Sequence, residues 1–568
     1  MVIEALTELY NTMAEQGIVC APGWTSAKVT YGLHIDNDGM VKALIPLATV
    51  EKPAGKNKTK TVVVPAYINV PEQLKRSSNV LPYLFCDTAV YLLGLEKDDK
   101  NETGKFTASK KYHLDFLKNV DSEAAAAVTA FFRNWNPETI WDYPFFLDHQ
   151  KELTTSKLIF IHNGCPVTED NAIRDKCEQV FSLQESRSKN ISCMVTGNRE
   201  PAAGLHPNIM NVYGGSSMGQ PLVSFNLDAA LSYKQTKETC AVMGKYTVYA
   251  YTTALNELLR NTSNVRVLGD TTVVCWTKDY NGETNRCILR YMFGEPVENE
   301  EILENVCENE PFYILGVAPN AGRLKIKFFY ESSFGSMREN VEKFQEELRI
   351  VKPVFETDEN IPMWKLLKET VFNGSKDASA TPRLAADMEK SVFLGYKYPV
   401  ELYQNVLSRI YREKAVTYRK AAIIKAYLTR NGKNVKRGTL LAELNEECKD
   451  IPYTMGRLFA LLEELQERAI DGITTTITKR YFSNASILPG RTYPMLLDLA
   501  GHHLQKIKKI SVRTYFEKEI EKMLQIIGPK FPARFTQEEK GSFMLGYYCQ
   551  RQKKFEKKGK SGKASQKK

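Results

Sequence analysis

Residues 214–226 read GGSSMGQPLVSFN, a glycine-rich polar loop that leads into the apolar strand signal PLVSF at 221–225. Glycine lets the backbone adopt positive φ and approach a partner closely, and serine, glutamine and asparagine add short hydrogen-bonding groups. Such a loop suits contact with phosphate or sugar through backbone N–H groups. It has neither the Gly-Lys-Ser/Thr of a nucleotide-binding P-loop nor the spacing of a dinucleotide fingerprint. The alternative interpretation is a structural turn before a buried strand.

Strand and loop patterns surround this stretch from 192 to 335, with one helix predicted at about 245–260. At 323–328 the sequence RLKIKF alternates cationic and apolar residues. The two-residue period of a strand would place the three cations on one sheet face and the apolar residues on the other. The three cations are either a track for phosphate groups or a solvated face.

The N-terminal part predicts a helix at 3–16 and a hairpin whose strands flank Asp36-Asn37-Asp38-Gly39. Two basic loops follow, with the sequences KPAGKNKTK at 52–60 and QLKRSSNVLP at 73–82. Loops of this kind projecting from a small sheet can bind a duplex backbone, and Arg, Asn and Gln on them can reach base edges. The alternative is a pair of solvated surface loops.

Helical periodicity replaces strand signals after about residue 350. At 455–470 the apolar residues fall at i, i+3, i+4, i+7 and i+11, which gives one packing stripe. Further helices are predicted near 400–412, 415–430, 437–449, 493–511, 513–527 and 536–550. We therefore predict an α+β, multidomain chain with a mixed α/β part at 1–190, a strand-rich part at 191–350, a linker at 351–385, an all-α helical bundle at 386–550 and a disordered basic tail at 551–568.

Length and composition set the class of protein. The 568 residues are too many for one core, and 43% hydrophobic with 25% charged residues is ordinary globular composition. No apolar run approaches the roughly 20 residues that span a bilayer, and the N-terminus does not resemble a signal peptide. The 11 cysteines are scattered without any Cys-x-x-Cys. We expect a soluble, cytoplasmic, reduced protein without a structural metal and without membrane contact.

Most of the net charge of +10 comes from the C-terminus. Residues 551–568 hold nine Lys/Arg and one Glu, a net of +8, which leaves 68 basic and 66 acidic residues, a net of +2, in the rest of the chain. Any nucleic-acid surface of the folded body must therefore come from local patches. The tail is either a solubilising end or a sequence-independent attractor of phosphate.

The sequence holds no convincing catalytic constellation. His502 and His503 are the only adjacent histidines, and neighbouring helix positions point about 100° apart, so they do not share a ligand easily. No Gly-x-Ser-x-Gly elbow surrounds a nucleophile. These observations favour a binding protein that is not an enzyme and needs no cofactor.

Motifs in a fixed order along the chain carry a family resemblance. They are Lys75-Arg76-Ser77-Ser78, Cys193-Met194-Val195-Thr196-Gly197, Leu205-His206-Pro207, the loop at 214–226, the strand at 320–327, Met455-Gly456-Arg457-Leu458-Phe459, Arg480-Tyr481-Phe482, His502-His503-Leu504-Gln505-Lys506 and Phe543-Met544-Leu545-Gly546-Tyr547-Tyr548. In this order the series resembles the large subunit of the type I-C CRISPR interference complex (Cascade), over nearly the whole chain. Two departures are Cys549, where the family pattern has His, and Asn211-Val212-Tyr213, which lacks a lysine before the glycines.

The resemblance implies a non-enzymatic subunit of an RNA-guided surveillance complex in antiviral defence. Its N-terminal part, on the side of the guide RNA's handle, would read a short protospacer-adjacent motif (PAM) on double-stranded DNA and start strand separation. Its bundle resembles the small subunit of the complex and would steady the displaced single strand in the R-loop. The implied partners are the guide CRISPR RNA, the target DNA, the backbone, guide-processing and small subunits, and a helicase–nuclease that this subunit recruits.

The resemblance also implies which residues touch nucleic acid. We expect contacts to PAM or duplex from Lys75, Arg76, Ser77, Ser78 and Asn79, with Lys56 and Lys58 as backbone clamps. The DNA or RNA path near the fork would be lined by Gly215, Ser216, Ser217, Gly219, Gln220 and Asn226. Phosphate contacts are expected from Arg323, Lys325 and Lys327, and single-strand contacts from Arg457, Lys479, Arg480 and Lys506.

Three hypotheses remain open at this point. In the family a separate small subunit can be made from an internal start, for which Met455 is the candidate here. The competing functions are a purely architectural scaffold of a ribonucleoprotein and a nuclease whose carboxylates the sequence does not reveal. Cleavage of nucleic acid by the isolated protein in the presence of magnesium would favour the nuclease.

Overall fold

The computed structural model describes residues 2–565 except 48, 52–61, 65, 74–75, 77–79, 96–103, 154, 187–189, 226–228, 230–231, 233–239, 354, 373–379 and 434–439. The chain forms two compact units. Unit 1 comprises Met1–Ile209 and Pro221–Glu257, and unit 2 comprises Met210–Gln220 and Leu258–Lys568. The predicted α+β class is confirmed: in the described part of the chain, every strand lies within the first 333 residues and only helices follow.

The first part of the chain mixes short strands with helices. Its strands are β1 (Trp24–Val29), β2 (Tyr31–Ile35), β3 (Val41–Pro46), β4 (Thr49–Glu51), β5 (Val62–Val64), β6 (Ala66–Pro71), β7 (Cys86–Thr88), β8 (Lys157–His162), β9 (Cys165–Pro166), β10 (Asn190–Ser192), β11 (Arg199–Pro201), β12 (Asn208–Ile209) and β13 (Gln220–Pro221). Its helices are α1 (Val2–Glu15), α2 (Ala89–Leu92), α3 (Lys105–Phe116), α4 (Glu123–Asn134), α5 (Pro144–Leu147), α6 (Gln150–Leu153), α7 (Asn171–Ser186) and α8 (Lys245–Arg260).

The main sheet of unit 1 has the order β3-β2-β8-β7, with β9 paired to β8. Strands β2 and β8 run parallel, and the other pairs are antiparallel. The predicted hairpin is confirmed: β2 and β3 flank the turn, where Asp36 accepts the N–H groups of Asp38 and Met40. Aromatic side chains of α4 pack on Phe160 of β8 and close the core on one side of this sheet.

The second unit joins one antiparallel sheet to a set of helices. The strands are β14 (Arg266–Leu268), β15 (Thr271–Thr277), β16 (Pro311–Asn320) and β17 (Arg323–Ser333), in that order across the sheet. The helices are α9 (Gly282–Met292), α10 (Glu301–Glu304), α11 (Phe334–Leu348), α12 (Met363–Lys368), α13 (Pro382–Phe393), α14 (Val400–Glu413), α15 (Tyr418–Asn431), α16 (Ile451–Ala469), α17 (Ile477–Ile487), α18 (Pro489–Lys506), α19 (Ile510–Ile527) and α20 (Gln537–Ser565).

Helices α16 and α20 cross so closely that glycine is required on both. A methyl group at Gly456 would lie 2.8 Å from the Phe543 carbonyl carbon, and one at Gly546 would lie 2.8 Å from the carbonyl carbon of Tyr453. Both distances are below any normal carbon–carbon contact. The predicted stripe of α16 packs into this contact, since Leu458, Leu461, Leu462 and Leu465 are all buried. The core of unit 2 runs continuously from the sheet into these helices.

Several predicted boundaries differ from the observed elements. The helix predicted at 437–449 is absent from 440–449, because backbone carbonyls there accept hydrogen bonds from the Val351 N–H and the Arg457 guanidinium instead of from a helical turn. The predicted linker at 351–385 contains α12, whose apolar face is buried. Met455 is the fifth residue of α16 and does not open that helix.

The C-terminal tail departs from expectation too. Disorder was expected from Arg551, but α20 continues to Ser565. The lysines of this stretch have good helix propensity, although Gly559 and Gly562 oppose a helix, and its first residue is held in place. Arg551 donates to the buried Glu463 carboxylate and to the Tyr547 hydroxyl one turn back.

Candidate nucleic-acid interface

The glycine-rich loop of unit 2 is fixed at both ends to the sheet of the same unit. At its start the Tyr213 N–H donates to Thr272 Oγ1 of β15 over 3.0 Å. At its end Gln220 Nε2 donates over 2.6 Å to the carbonyl of Ala321, in the turn between β16 and β17. Gln220 and Ala321 are 101 residues apart in the sequence. The fold nevertheless places the loop beside the tip of the β16–β17 hairpin, which we call the cationic hairpin.

Between these anchors the backbone makes two tight turns. The Gly215 N–H donates to Val212 O over 3.0 Å, and the Gly219 N–H donates to Ser216 O over 2.9 Å. Gly219 has a φ of +70°, which a residue with a side chain adopts only at a cost. Ser216 and Ser217 are exposed at the loop surface. Ser216 Oγ accepts the Met218 N–H over 3.2 Å, which leaves its hydroxyl hydrogen to donate to a ligand.

The three cations at the start of β17 differ in exposure and in ion pairing. Lys325 is exposed and forms no ion pair with any residue that the structure describes. Arg323 is half-buried at the hairpin tip, opposite Asn320. The register of β17 against β16 shifts by one residue at Lys327, so the predicted alternation ends there. Ile326, expected in the core, is 37% exposed.

Lys327 is already neutralised by a neighbour. Its Nζ lies 2.8 Å from Asp270 Oδ2. Burial acts to raise the pKa of Asp270, but its hydrogen bonds from Lys327 and Thr271 outweigh burial, so the pKa is lowered. Nearby, burial and then the Asp270 charge raise the pKa of the enclosed Glu389 well above its usual value, and neither of its carboxyl oxygens has a partner among the described residues. Lys327 therefore has less positive charge to offer a phosphate than Lys325.

Arg76 is held by neighbours within unit 1. Its guanidinium pairs with Asp87, which is fully buried, and donates from Nε to Leu81 O over 2.6 Å. The same group stacks between the rings of Tyr83 and Tyr91, at 3.7 and 3.9 Å from their centroids. To reach a base, Arg76 would have to leave Asp87 buried without its cation. In this structure the Arg76 guanidinium is held by Asp87, Leu81 and the two rings instead of projecting towards a ligand.

Arg457 is enclosed in the bundle. It is 1% exposed, donates from Nε to Gln550 Oε1 over 3.2 Å and donates from Nη1 to Glu446 O over 3.0 Å. A side chain in this position cannot touch a displaced strand without opening the contact between α16 and α20. We therefore withdraw Arg457 from the predicted single-strand contacts. Its burial follows from Gly456, which brings the two helices together at this level.

The other predicted cations of the bundle are exposed. Lys479 and Arg480 lie in the first turn of α17, where the positive end of the helix dipole adds to their charge, and Lys479 donates to Thr474 O over 3.1 Å. Lys506 is the last residue of α18. No hydrogen bond or ion pair joins Lys506 to Lys479 or Arg480 among the described residues, so the three cations do not form one defined site.

The remaining predicted contacts fall outside the described residues. They are Lys56, Lys58, Lys75, Ser77, Ser78, Asn79 and Asn226.

Sequence reasoning missed two exposed apolar side chains of the glycine-rich loop. Tyr213 is 59% exposed immediately before the double glycine, and Met218 is 69% exposed before Gly219. An exposed aromatic ring is a surface on which a nucleic-acid base can stack. The available signal was an aromatic residue at the position where the family pattern has lysine. Gln220, conversely, is 8% exposed and acts as an anchor.

The residues that the structure describes hold neither a metal-binding cluster nor a membrane-spanning helix. No group of three or more His, Cys, Asp or Glu side chains is placed to hold a metal ion there. No helix in that part of the chain is both long enough and apolar enough to cross a bilayer.

Comparison with known proteins identifies the family. No curated protein matches the chain. The sequence model of one family, described as CRISPR-associated protein (Cas_Csd1), matches residues 6–555. The match includes the glycine-rich loop, the cationic hairpin and the bundle. The chain therefore belongs to the Cas_Csd1 family of CRISPR-associated proteins.

Proposed function

We propose that this protein is the large subunit of a type I-C CRISPR RNA-guided surveillance complex (Cascade), and that it binds nucleic acid and is not an enzyme. Family membership over residues 6–555 supports the CRISPR assignment. The observation that carries the nucleic-acid part is the anchoring of the glycine-rich loop at the tip of the β16–β17 hairpin. The loop with its two exposed serines is thereby tied to the turn that precedes β17, the strand that carries the exposed Lys325.

The chemistry of this region suits a nucleic-acid backbone. Backbone N–H groups in tight turns and short hydroxyl side chains bind phosphate and sugar oxygens, and an exposed lysine adds a point charge. In a guide-directed complex, pairing between guide RNA and target supplies most of the sequence specificity. The protein then has to read only a short PAM on the duplex and hold the strands as they separate.

In this proposal the exposed residues divide the work. Ser216, Ser217 and Lys325 contact the DNA or RNA backbone near the fork, and Lys479 and Arg480 steady the displaced strand. Arg76 acts as a positioning residue through its contacts with Asp87 and Leu81. The guide RNA, the other Cascade subunits and the helicase–nuclease are the partners of this assembly.

The test is DNA binding by the guide-loaded complex, with and without this subunit, on matched targets that differ only in the flanking PAM. We expect the subunit to confer PAM-dependent binding without cleavage. Binding that ignores the PAM in both preparations would contradict PAM recognition, and cleavage by the subunit alone would contradict the non-enzymatic assignment.

A single substitution tests the site itself. Lys325→Gln should weaken binding about equally on all sequences and reduce the salt slope of the affinity by about 1, as expected for one lost phosphate contact. The matched control is Lys278→Gln, because Lys278 is an exposed lysine just beyond the opposite end of β15. Equal effects of the two substitutions would show that the hairpin tip is not a specific contact.

A further inference from the structure

We propose that unit 2 carries a separate docking site for a basic, apolar-anchored peptide segment of a partner protein. The site is the Phe355 groove, a cavity of about 700 Å³ lined by Val351, Pro353, Phe355, Val416, Tyr418 and Tyr548 together with a few polar side chains. It shares no residue with the loop, the hairpin or the predicted cations of the bundle, so this inference does not depend on the proposed function.

The groove has rigid apolar walls. The segment that begins at Val351 is tied to the bundle: the Val351 N–H donates to Ala442 O over 2.6 Å, and the Val351 carbonyl accepts the Tyr548 hydroxyl over 2.7 Å. Phe355, at the rim, is 83% exposed. Because Phe355 stays mostly exposed in the folded chain, most of its apolar area can still be buried by a ligand that enters the neighbouring cavity.

A second cavity of about 650 Å³ continues the groove, since the two share Val351, Lys352 and Tyr418 as walls. Four glutamates line it against one arginine and one lysine. Two of the glutamates already pair with arginines of their own helix and its end. The exposed Glu359 and Glu443 form no ion pair with the part of the chain that the structure describes.

This charge distribution favours a basic peptide over a nucleic-acid strand as the ligand of the groove. Carboxylates beside the groove repel phosphates, so a nucleic-acid strand is disfavoured there, in contrast to the hairpin tip. The groove has two cations: Arg419 pairs with Glu356 over 3.1 Å, and Lys352 donates to the carbonyl of Asp358 over 3.2 Å. A peptide that buries a leucine or aromatic side chain against Phe355 and places lysines or arginines over Glu359 and Glu443 satisfies both surfaces.

The experiment measures fluorescence anisotropy of the full chain with a labelled peptide of about ten residues that has a Leu-Phe pair flanked by lysines. Two variants test the two surfaces. Phe355→Ser should weaken binding about tenfold. Glu359→Gln with Glu443→Gln should weaken it by a smaller factor that disappears at high salt. Both variants change exposed side chains, so the fold is preserved.

Matched controls make the result specific. Ile510→Ser removes an apolar side chain that is 79% exposed on α19, and Glu339→Gln with Asp471→Asn removes two exposed carboxylates elsewhere in unit 2. Neither control should change peptide affinity. The proposal is overturned if Phe355→Ser binds the peptide as wild type does, or if the controls weaken binding equally. It is also overturned if an oligothymidine of about 20 nucleotides binds through Phe355, since the groove would then be a stacking platform for nucleic acid.

Discussion

The glycine contact between α16 and α20 predicts the effect of adding a single methyl group. In Gly546→Ala the new Cβ meets the backbone of Tyr453, with the carbonyl carbon at 2.8 Å and Cα at 3.1 Å. A backbone group cannot rotate away as a side chain can, so the helices must separate. A normal carbon–carbon contact needs about 3.5–4.0 Å, so the two helices must move apart by about 1 Å.

The expected magnitude follows from two opposing effects. Alanine has a higher helix propensity than glycine, by about 1 kcal/mol. Overpacking of a core costs about 1–3 kcal/mol, and a gap of about 0.5–1 Å forfeits a quarter to a half of the dispersion energy of the contacts around it. Because the obstacle is backbone, we place the cost at or above the upper end of that range. The net effect of Gly546→Ala should be a loss of about 2 kcal/mol.

The matched control is Gly501→Ala in α18, where a methyl group would meet nothing within 4 Å. That variant should gain up to about 1 kcal/mol from propensity alone. Urea unfolding followed by far-UV circular dichroism compares the midpoints, and hydrogen exchange mass spectrometry shows whether the change lies in α16 and α20. Gly546→Ala as stable as wild type, or no more damaging than Gly501→Ala, would refute the close approach of the helices.

Three further predictions concern single residues. Arg76→Ala leaves the buried Asp87 without its cation, so the free energy of unfolding should fall by about 3–5 kcal/mol. Arg76→Lys should recover only part of this loss, because lysine cannot stack between two tyrosine rings. The urea midpoints of the two variants measure both effects. The pKa of Glu389 is raised above its ordinary 4.5, so the folded chain keeps a proton that the unfolded chain has lost, and stability should fall as pH rises above 4.5 towards the folded pKa. Glu389→Gln should remove this decline in unfolding measured at pH 4.5 and at about pH 7.5. Gln220→Ala frees the loop from Ala321, so hydrogen exchange at 214–219 should accelerate while the urea midpoint stays unchanged.

Each of these has a result that would count against it. Full recovery of stability by Arg76→Lys would mean that ring stacking contributes little. An unchanged pH dependence in Glu389→Gln would assign the decline to another group. Slow exchange at 214–219 in Gln220→Ala would show that the Tyr213 anchor alone holds the loop.

Local patterns of the sequence were sufficient for a large part of the fold. The turn at 36–39 needs only Asp36 and Gly39, and both act within four residues. The leucine stripe of α16 likewise follows from helical spacing alone. These features depend on neighbours in the chain, which a single sequence displays directly.

Features that depend on distant partners could not be predicted. Arg457 reads as a surface cation, yet its partner Gln550 lies 93 residues away on a helix that only the glycine contact brings near. The stretch at 440–449 has helical periodicity, but its carbonyls are used by side-chain and backbone donors from elsewhere. Ile326 is exposed because a register shift in the β16–β17 pair interrupts a pattern that is regular in the sequence.

Strand β17 closes its sheet on one side and has no further strand beside it among the described residues. The unpaired N–H and C=O groups of an 11-residue edge strand can pair with the same edge of another molecule, which leads to aggregation. Lysines along an edge strand and a local bulge both oppose such pairing, because they charge and twist the edge. In β17 the exposed Lys325 supplies the charge, and the register irregularity at Lys327 supplies the bulge. The same cations that suit a phosphate backbone thus also oppose edge-to-edge pairing of this strand with another molecule.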